Sequence, residues 1–409
     1  MSTSLSPSLY DSFQHPESQV YRCIMPSSKT RRRDFCSSSE TWLVGHAALV
    51  LMWTSIGLAC AALFLAGNAD AVLSSGRNDR DPCLRILLDV DPGVDDALAI
   101  TLAARLQNVR LEAITVVAGN ADLQTGYNNT LRTLNVVDRR DVPVYKGADR
   151  PIDGHGRTEK TYFGPDNFGG VSAKYPMSRN PAADPQTPGY IKMIQAVKYN
   201  RGQLTLVLMA PLTNLAIALL AAPEISAGIR HVYILGGTLY VLQSKVARKG
   251  NASPTAEFNF FTDPEAAFIV LQRATCPITI IPWEAILQAT VPWDTYYSIT
   301  NKSGRLQKFL RDTTAYTVQC CLSGGQSPGG FSAGDFLAVL AAAVPESVAQ
   351  TLQHRVNVER CGAYTRGQLV HAWEPKILPH VRRNVTIVES FDVGIVEKYF
   401  KYSFDPTGA

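Results

Sequence analysis

Ile86-Leu-Leu-Asp-Val-Asp-Pro-Gly-Val-Asp-Asp-Ala-Leu-Ala-Ile100 is an apolar, β-rich run that ends in acids, turns at Pro92-Gly93 and enters a helical pattern. Four carboxylates, Asp89, Asp91, Asp95 and Asp96, fall within eight residues. On a strand, Asp89 and Asp91 share one face, and Asp95 and Asp96 on a first helical turn lie back toward the strand end. Two like charges about 4 Å apart repel by roughly 4 kcal/mol at the effective dielectric of a partly buried site. A helix N-terminus offsets part of this with about half a positive charge. A divalent cation would offset the rest, and all-oxygen ligands suit Ca²⁺ or Mg²⁺ rather than zinc. Helix capping and solvation account for one or two acids, not for four.

Outward from this stretch the chain alternates. Arg85–Val90 reads as a buried strand, Val94–Leu106 as a helix, Leu111–Ala118 as a strand and Asp122–Val137 as a helix. Leu204–Met209, His231–Leu235 and Ile278–Ile281 are further short apolar runs, while Leu212–Ala222 and Asp335–Ala343 read as Ala/Leu-rich packed helices. The rhythm predicts an α/β fold: a single large domain on a mostly parallel, Rossmann-like central sheet covered on both faces. Ligands of such sheets bind at the carboxyl ends of strands. The acidic cluster, Asn120 and Met209 each follow a strand end. The Gly/Pro/Asp-rich stretch Gly147–Pro188 is long for a loop and is expected to form a lid or rim over that edge.

The 409 residues are 46% hydrophobic and 18% charged, with a net charge of +4. A core is easily supplied, and the absence of a basic stripe with interleaved aromatics speaks against nucleic-acid binding. Residues 1–46 are polar, Ser-rich and expected to be disordered. Residues 47–66 carry no charge and are long enough for a membrane anchor or a signal-peptide core, with Ala69-Asp70-Ala71 beyond as a cleavage-like site. Residues 67–83 read as a linker and 84–409 as the catalytic domain. The expected localisation is the secretory pathway: secreted if cleaved near Ala71, otherwise single-pass with the catalytic domain outside. Met25 offers an alternative start. Of eight cysteines, five follow the apolar segment, in no zinc-like spacing, so one or two disulfides are the most expected. Sequons occur at Asn128, Asn251, Asn301 and Asn384.

Asp89-Val-Asp-Pro-Gly-Val-Asp-Asp-Ala97 resembles the opening signature of the inosine–uridine-preferring nucleoside hydrolase family. Val116-Val-Ala-Gly-Asn120, Ala210-Pro-Leu-Thr-Asn-Leu215, Leu235-Gly-Gly237, Asn251-Ala-Ser-Pro-Thr-Ala-Glu-Phe-Asn-Phe260, Asp263-Pro-Glu-Ala-Ala267 and Ala333-Gly-Asp335 resemble its later motifs, in order. The resemblance implies the nucleoside hydrolase fold, a ribonucleoside substrate and a homo-oligomer, dimer or tetramer. It implies Ca²⁺ held by Asp91, Asp96, Asp335 and the Met209 carbonyl. Asp95 and Asn259 would take the ribose 2′- and 3′-hydroxyls, and Asn251 with Glu257 the 5′-hydroxyl. Asn120 would sit near ribose and attacking water, Asp89 would orient the ligands, and Asp91 would be the general base for a Ca²⁺-activated water. Many family members carry His where this chain has Gly334 and Phe163, so protonation of the leaving base has no carrier at either position. Aromatic stacking by Phe163, Tyr240, Trp283 or Phe331 is the substitute, with His155 in the expected lid as a further candidate. A glycan on Asn251 would block the pocket, so that sequon is expected to be unmodified. Two other readings stay open: a catalytically impaired nucleoside-binding protein on the same fold, and a metal-dependent phosphatase of the HAD type, which also opens with Asp-x-Asp after a strand.

Overall fold

The computed structural model describes residues 83–154, 162–239, 250–324, 329–374, 376–381 and 383–405. All of them belong to the unit Arg80–Ala409. The expected tail (1–46), apolar segment (47–66) and linker (67–83, apart from Cys83) lie outside the described residues.

In chain order, β1 (Leu84–Val90), α1 (Val94–Arg105), β2 (Val109–Val116), α2 (Leu123–Val136) and β3 (Val144–Lys146) come first. After a long irregular stretch with a 3-10 turn at Ser172–Lys174 follow α3 (Gly189–Tyr199), β4 (Leu204–Leu208), α4 (Thr213–Ala221) and β5 (His231–Leu235). Next are α5 (Phe258–Thr262), α6 (Pro264–Arg273), β6 (Ile278–Ile281), α7 (Trp283–Gln288), β7 (Val291–Pro292), α8 (Trp293–Thr300), α9 (Arg305–Gly324), β8 (Gly330–Phe331) and α10 (Gly334–Ala343). The chain closes with β9 (Val348–His354), β10 (Val356–Val358), β11 (Leu369–His371), β12 (Val385–Phe391) and α11 (Val393–Phe404).

Eight strands form one sheet in the order β3-β2-β1-β4-β5-β6-β12-β9. Every neighbouring pair is parallel except β12 with β9. The α/β expectation holds, down to the doubly wound order in its first six strands. Strands buried on both faces need unbroken apolar runs. Accordingly Ile86, Leu87, Leu88 and Val90 of β1 are fully buried. Alternation sends Ile86, Leu88 and Val90 to one layer with Leu98 of α1 and Phe336 of α10. Leu87 goes to the other, with Met193 of α3 and Leu215 of α4. Beyond Asp335 in its first turn, helix α10 is apolar all round, and it is buried at every one of its 10 positions, as a helix inside a layer must be.

The strands expected at His231–Leu235 and Ile278–Ile281 lie at those bounds. The one expected at Leu111–Ala118 sits two residues earlier, over Val109–Val116. Gly147–Pro188 is largely irregular where described, and its start is tied down: the Ile152 N–H donates to Asp263 (2.9 Å). Among the described residues Cys83, Cys276 and Cys320 are free thiols, so the expected disulfides do not involve them.

The localisation expectation is corrected. No helix of the described residues is long and apolar enough to cross a membrane. The longest, α9, has 20 residues but carries Arg305, Lys308, Arg311 and Asp312 in its first half. Residues 47–66, which carried the expectation, lie outside the described residues, and a secreted or anchored protein is not argued further.

Asp263 shows how distant segments are locked together. Fully buried, it caps α6 through the Ala266 N–H (2.9 Å) and accepts from the Thr213 hydroxyl of α4 (2.6 Å) as well as from Ile152. Thr213→Val removes one donor from a buried carboxylate, a loss of about 1–3 kcal/mol. A lower urea midpoint at unchanged slope is the expected result, and an unshifted midpoint would contradict this role.

Candidate functional site

Strand β1 lies between β2 and β4, where the winding of the sheet reverses. In sheets of this kind ligands bind in a crevice at that point, beyond the carboxyl ends of the strands. Asp91 follows β1, Asn120 follows β2, Met209 follows β4, and Gly236-Gly237 follow β5. Pro92-Gly93 turns the chain out of β1, and Asp96 caps the new helix by accepting the Gly93 N–H (2.9 Å) on one oxygen. Its other oxygen faces the Asp91 N–H (3.4 Å). Asp91 in turn accepts the backbone N–H of Asn120 at 2.7 Å and its side-chain amide at 3.3 Å. That grip depends on Gly119, where a Cβ would stand 1.9 Å from the Asp91 carboxylate.

Asp95 and Asp96 from α1 meet Asp335 from the first turn of α10, with ligand oxygens of the three within 4.8 Å of one another. Asp96, Asp335 and Asp91 are at most 1% exposed. One oxygen each of Asp95 and Asp335, and the side-chain oxygen of Asn259, is buried without a hydrogen-bond partner. Unpartnered buried oxygens are costly, and those of Asp95 and Asp335, whose carboxylates meet, mark a place for a cation or donor ligand. The electrostatics agree. Burial pushes the carboxyls of Asp91, Asp95, Asp96 and Asp335 upward, and mutual repulsion pushes Asp91, Asp96 and Asp335 further. The donor set is all oxygen, as a hard cation such as Ca²⁺ or Mg²⁺ requires.

Across the crevice the Asn259 amide donates to the carbonyls of Met209 (3.2 Å) and Leu235 (3.1 Å). Glu257 caps α5, accepting from Asn259 (2.9 Å) and Phe260 (3.2 Å), and also takes the Gly237 N–H at 3.0 Å. Burial raises its carboxyl to about 7, opposed by these backbone donors. Asn251 stands exposed, before the turn that leads to Glu257. Asp89 is fully buried and accepts from the Thr115 hydroxyl (2.6 Å) and the Asn214 amide (2.8 Å), while burial lifts its carboxyl to about 7. Sequence reasoning missed Thr115 and Asn214 in this role. The Asn lay inside a quoted motif, but its partner is 125 residues away.

The aromatic candidates separate. Phe163 is 5% exposed and lies on the open side of Gly93, where a Cβ would stand 2.5 Å from its ring. Phe331 instead stacks on Tyr296 at 4.9 Å within the core beside Phe400. Trp283 starts α7, its N–H on the Gly237 carbonyl (3.0 Å). Tyr240 and His155 lie outside the described residues. Gly334 adjoins the cluster: a Cβ there would lie 3.3 Å from Ile286 and 3.6 Å from Asp95.

Residues 86–398 match the family profile described as inosine-uridine preferring nucleoside hydrolase. A pyrimidine-specific ribonucleoside hydrolase RihA of Shewanella woodyi is 35% identical over 207 residues, 50% of this chain and 62% of that protein. The Escherichia coli protein of the same name is 37% identical over 191 residues, 46% of this chain and 57% of that one. The chain thus spans 57–62% of the length of these curated relatives. Among solved structures, an inosine-guanosine nucleoside hydrolase superposes with a TM-score of 0.70 at 28% identity, covering 78% of this chain and 98% of that one. A plant nucleoside hydrolase gives 0.71 at 25% identity, covering 80% and 100%.

Gly119→Ala forces a methyl group onto the Asp91 carboxylate. Overpacking of this kind costs about 1–3 kcal/mol. A melting temperature equal to that of the parent protein would show that the backbone of this turn yields more easily than its contacts indicate.

Proposed function

The chain belongs to the inosine-uridine preferring nucleoside hydrolase family, and we propose that it hydrolyses the N-glycosidic bond of ribonucleosides to ribose and free base. The observation that carries this reading is the buried oxygen cluster at the switch point, with unpartnered oxygens on Asp95, Asp335 and Asn259. Relatives named for pyrimidine ribonucleosides and for inosine and guanosine both support a ribonucleoside as substrate.

The residues fit a Ca²⁺ ion. Asp91, Asp96 and Asp335 would hold it together with the Met209 carbonyl, which accepts one hydrogen bond from Asn259 and keeps a second lone pair free. When bound, such an ion supplies positive charge among the acids and makes a water nucleophile available near neutral pH. The rest is work for the chain's own groups. Asp91, oriented by both donors of Asn120, takes a proton from the attacking water as general base. Asp95 and Asn259 bind the 2′- and 3′-hydroxyls through their free oxygens. Glu257, with Asn251 from the neighbouring turn, receives the 5′-hydroxyl. Asp89, clamped by Thr115 and Asn214, steadies the strand end from which Asp91 projects. Holding the ribose at three points positions C1′ and stabilises the flattened, oxocarbenium-like sugar more than the ground state. A sugar lacking one hydroxyl leaves buried groups unpaired and is rejected. A dimer or tetramer is the assembly we expect, checked by sedimentation.

Incubation with inosine, uridine, adenosine and guanosine should release ribose, and Asp91→Asn should lower kcat by about 10²- to 10⁴-fold. Phosphate released from nucleotides, with no ribose from nucleosides, would favour the phosphatase reading instead. Chelator-treated protein should gain melting temperature on adding Ca²⁺, because ligand at about 100 times Kd stabilises by roughly 2.7 kcal/mol. Asp335→Asn should shrink that gain. An equal gain in the variant would remove Asp335 from the cation site.

A further inference from the structure

Helix α5, only five residues long, carries Asn259, and Glu257 caps it. A helix this short does not hold its own shape in water. Its last carbonyls also have no partner within the helix. A distant part of the chain meets both deficits. Strands β10 and β11 pair antiparallel. The turn between them closes on itself: Glu359 N–H donates to the Gln368 carbonyl (3.0 Å) and Gly367 N–H to the Glu359 carbonyl (2.7 Å). From this turn the Arg366 guanidinium reaches α5. It donates to the Phe261 carbonyl at 2.7 Å and lies 5.7 Å from the centre of the Phe261 ring. Its other arm donates to the Asp153 carboxylate at 2.6 Å. The two side chains are 30% and 24% exposed, so water screens the pair less than it would on open surface. Gly367, at φ +84°, lets the turn come this close: a Cβ there would stand 2.6 Å from the Phe261 Cα. The same hairpin grips the residues around α5. The Thr255 hydroxyl donates to the Tyr364 carbonyl (3.1 Å), and the His371 Nε2–H donates to the Thr238 carbonyl (2.9 Å). Leu369 closes on Gly237, where a Cβ would stand 3.1 Å from it. Gly237 and α5 supply the N–H groups that hold Glu257.

We propose that Arg366 is a positioning residue for the ribose: by tying α5 to the β10–β11 hairpin and to Asp153, it sets where Glu257 and Asn259 meet the 5′- and 3′-hydroxyls. The inference rests on the nucleoside hydrolase reading and deepens it. Arg366 acts through α5 and not on the sugar. Its donors diverge to a backbone carbonyl and a carboxylate, a rigid fork that Arg presents and Lys does not. Phe261 follows Asn259 by two residues, and its N–H is bonded to the Glu257 carbonyl at 2.8 Å. A shift of Phe261 is therefore passed to both sugar-binding groups. Misplacing such a group by about 1 Å costs on the order of 10²-fold in rate. The acids of the cation site are held by other partners: Asp96 by the Gly93 N–H and Asp91 by Asn120. Loss of Arg366 leaves that side of the site as it is.

The test is steady-state kinetics of the full chain with Ca²⁺ on uridine, inosine and their 5′-deoxy counterparts, followed by release of free base. In Arg366→Ala, kcat/KM on uridine and inosine should fall about 10- to 100-fold. The ratio of each to its 5′-deoxy counterpart should shrink about tenfold or more, because the deoxy sugar never used the Glu257 contact that is lost. The gain in melting temperature that Ca²⁺ gives chelator-treated protein should equal the parent's. Arg366→Lys, which keeps the charge without the fork, should narrow the ratio in the same direction, and it decides the question where the alanine variant does not fold. Equal losses on the ribonucleosides and their 5′-deoxy counterparts, or no loss, would overturn the inference and leave the hydrolase reading intact. So would a smaller Ca²⁺ gain in the variant, which would assign Arg366 to the scaffold of the cation site. No hydrolysis of any ribonucleoside by the parent protein would overturn the hydrolase reading and this inference together.

Discussion

Repulsion among the buried Asp91, Asp96 and Asp335 and the half-buried Asp95, gathered at one sheet edge, is the constraint to which the surrounding structure answers. Three of the four come from the β1–α1 turn and the fourth from the first turn of α10. Both helices therefore direct their N-termini at the cluster. Two N-termini contribute roughly one positive charge between them, against as many as four negative ones. Backbone and amide donors from Gly93 and Asn120 relieve part of the remainder. Desolvation still outweighs these bonds, since all four carboxyls are displaced upward. A bound cation would relieve much of that excess, which ties the chemistry of the site to the electrostatics of its scaffold.

The same constraint explains the topology around it. A carboxylate can be buried at a strand end only if neighbouring strands bring partners to the same level. Because β1 sits at the switch point, the chain leaves β2 and β4 on its two sides, and their exits deliver Asn120 and Met209 within reach. Asp89, one pleat earlier, is held laterally on one oxygen, by Thr115 of β2 and by Asn214 at the start of α4, while its other oxygen is buried without a partner. The sheet thus supplies position, and the loops beyond it supply donors and acceptors.

Much of this was legible in the residues. Parallel strands announce themselves as unbroken apolar runs, so β1, β4, β5 and β6 were placed within a residue or two, and the acidic turn was identified from charge density alone. The antiparallel edge was not. Strand β9 alternates exposed polar residues such as Gln350 and Gln353 with only partly buried ones, a weak period-two signal. Strand β3 is three residues long, too short for any period. Within the site, residues near β1 could be read locally, whereas Thr115, Asn214 and Asp263 act through partners 26, 125 and up to 111 residues away. No local pattern encodes such pairings. Phe331 shows the converse: its neighbour Asp335 lies in the cluster, yet its own ring is absorbed by Tyr296.

Three glycines border the acids, and their differing sterics separate necessity from choice. At Gly119 a side chain would strike the Asp91 carboxylate, and at Gly93 it would strike the Phe163 ring. Both must be small for the backbone to come this close. At Gly334 the nearest atoms are the flexible end of Ile286 at 3.3 Å and Asp95 at 3.6 Å, so a Cβ needs little more than a shift of one methyl group. Packing does not demand glycine there. A larger polar residue at 334 would start its side chain beside Asp95, directly against the cluster.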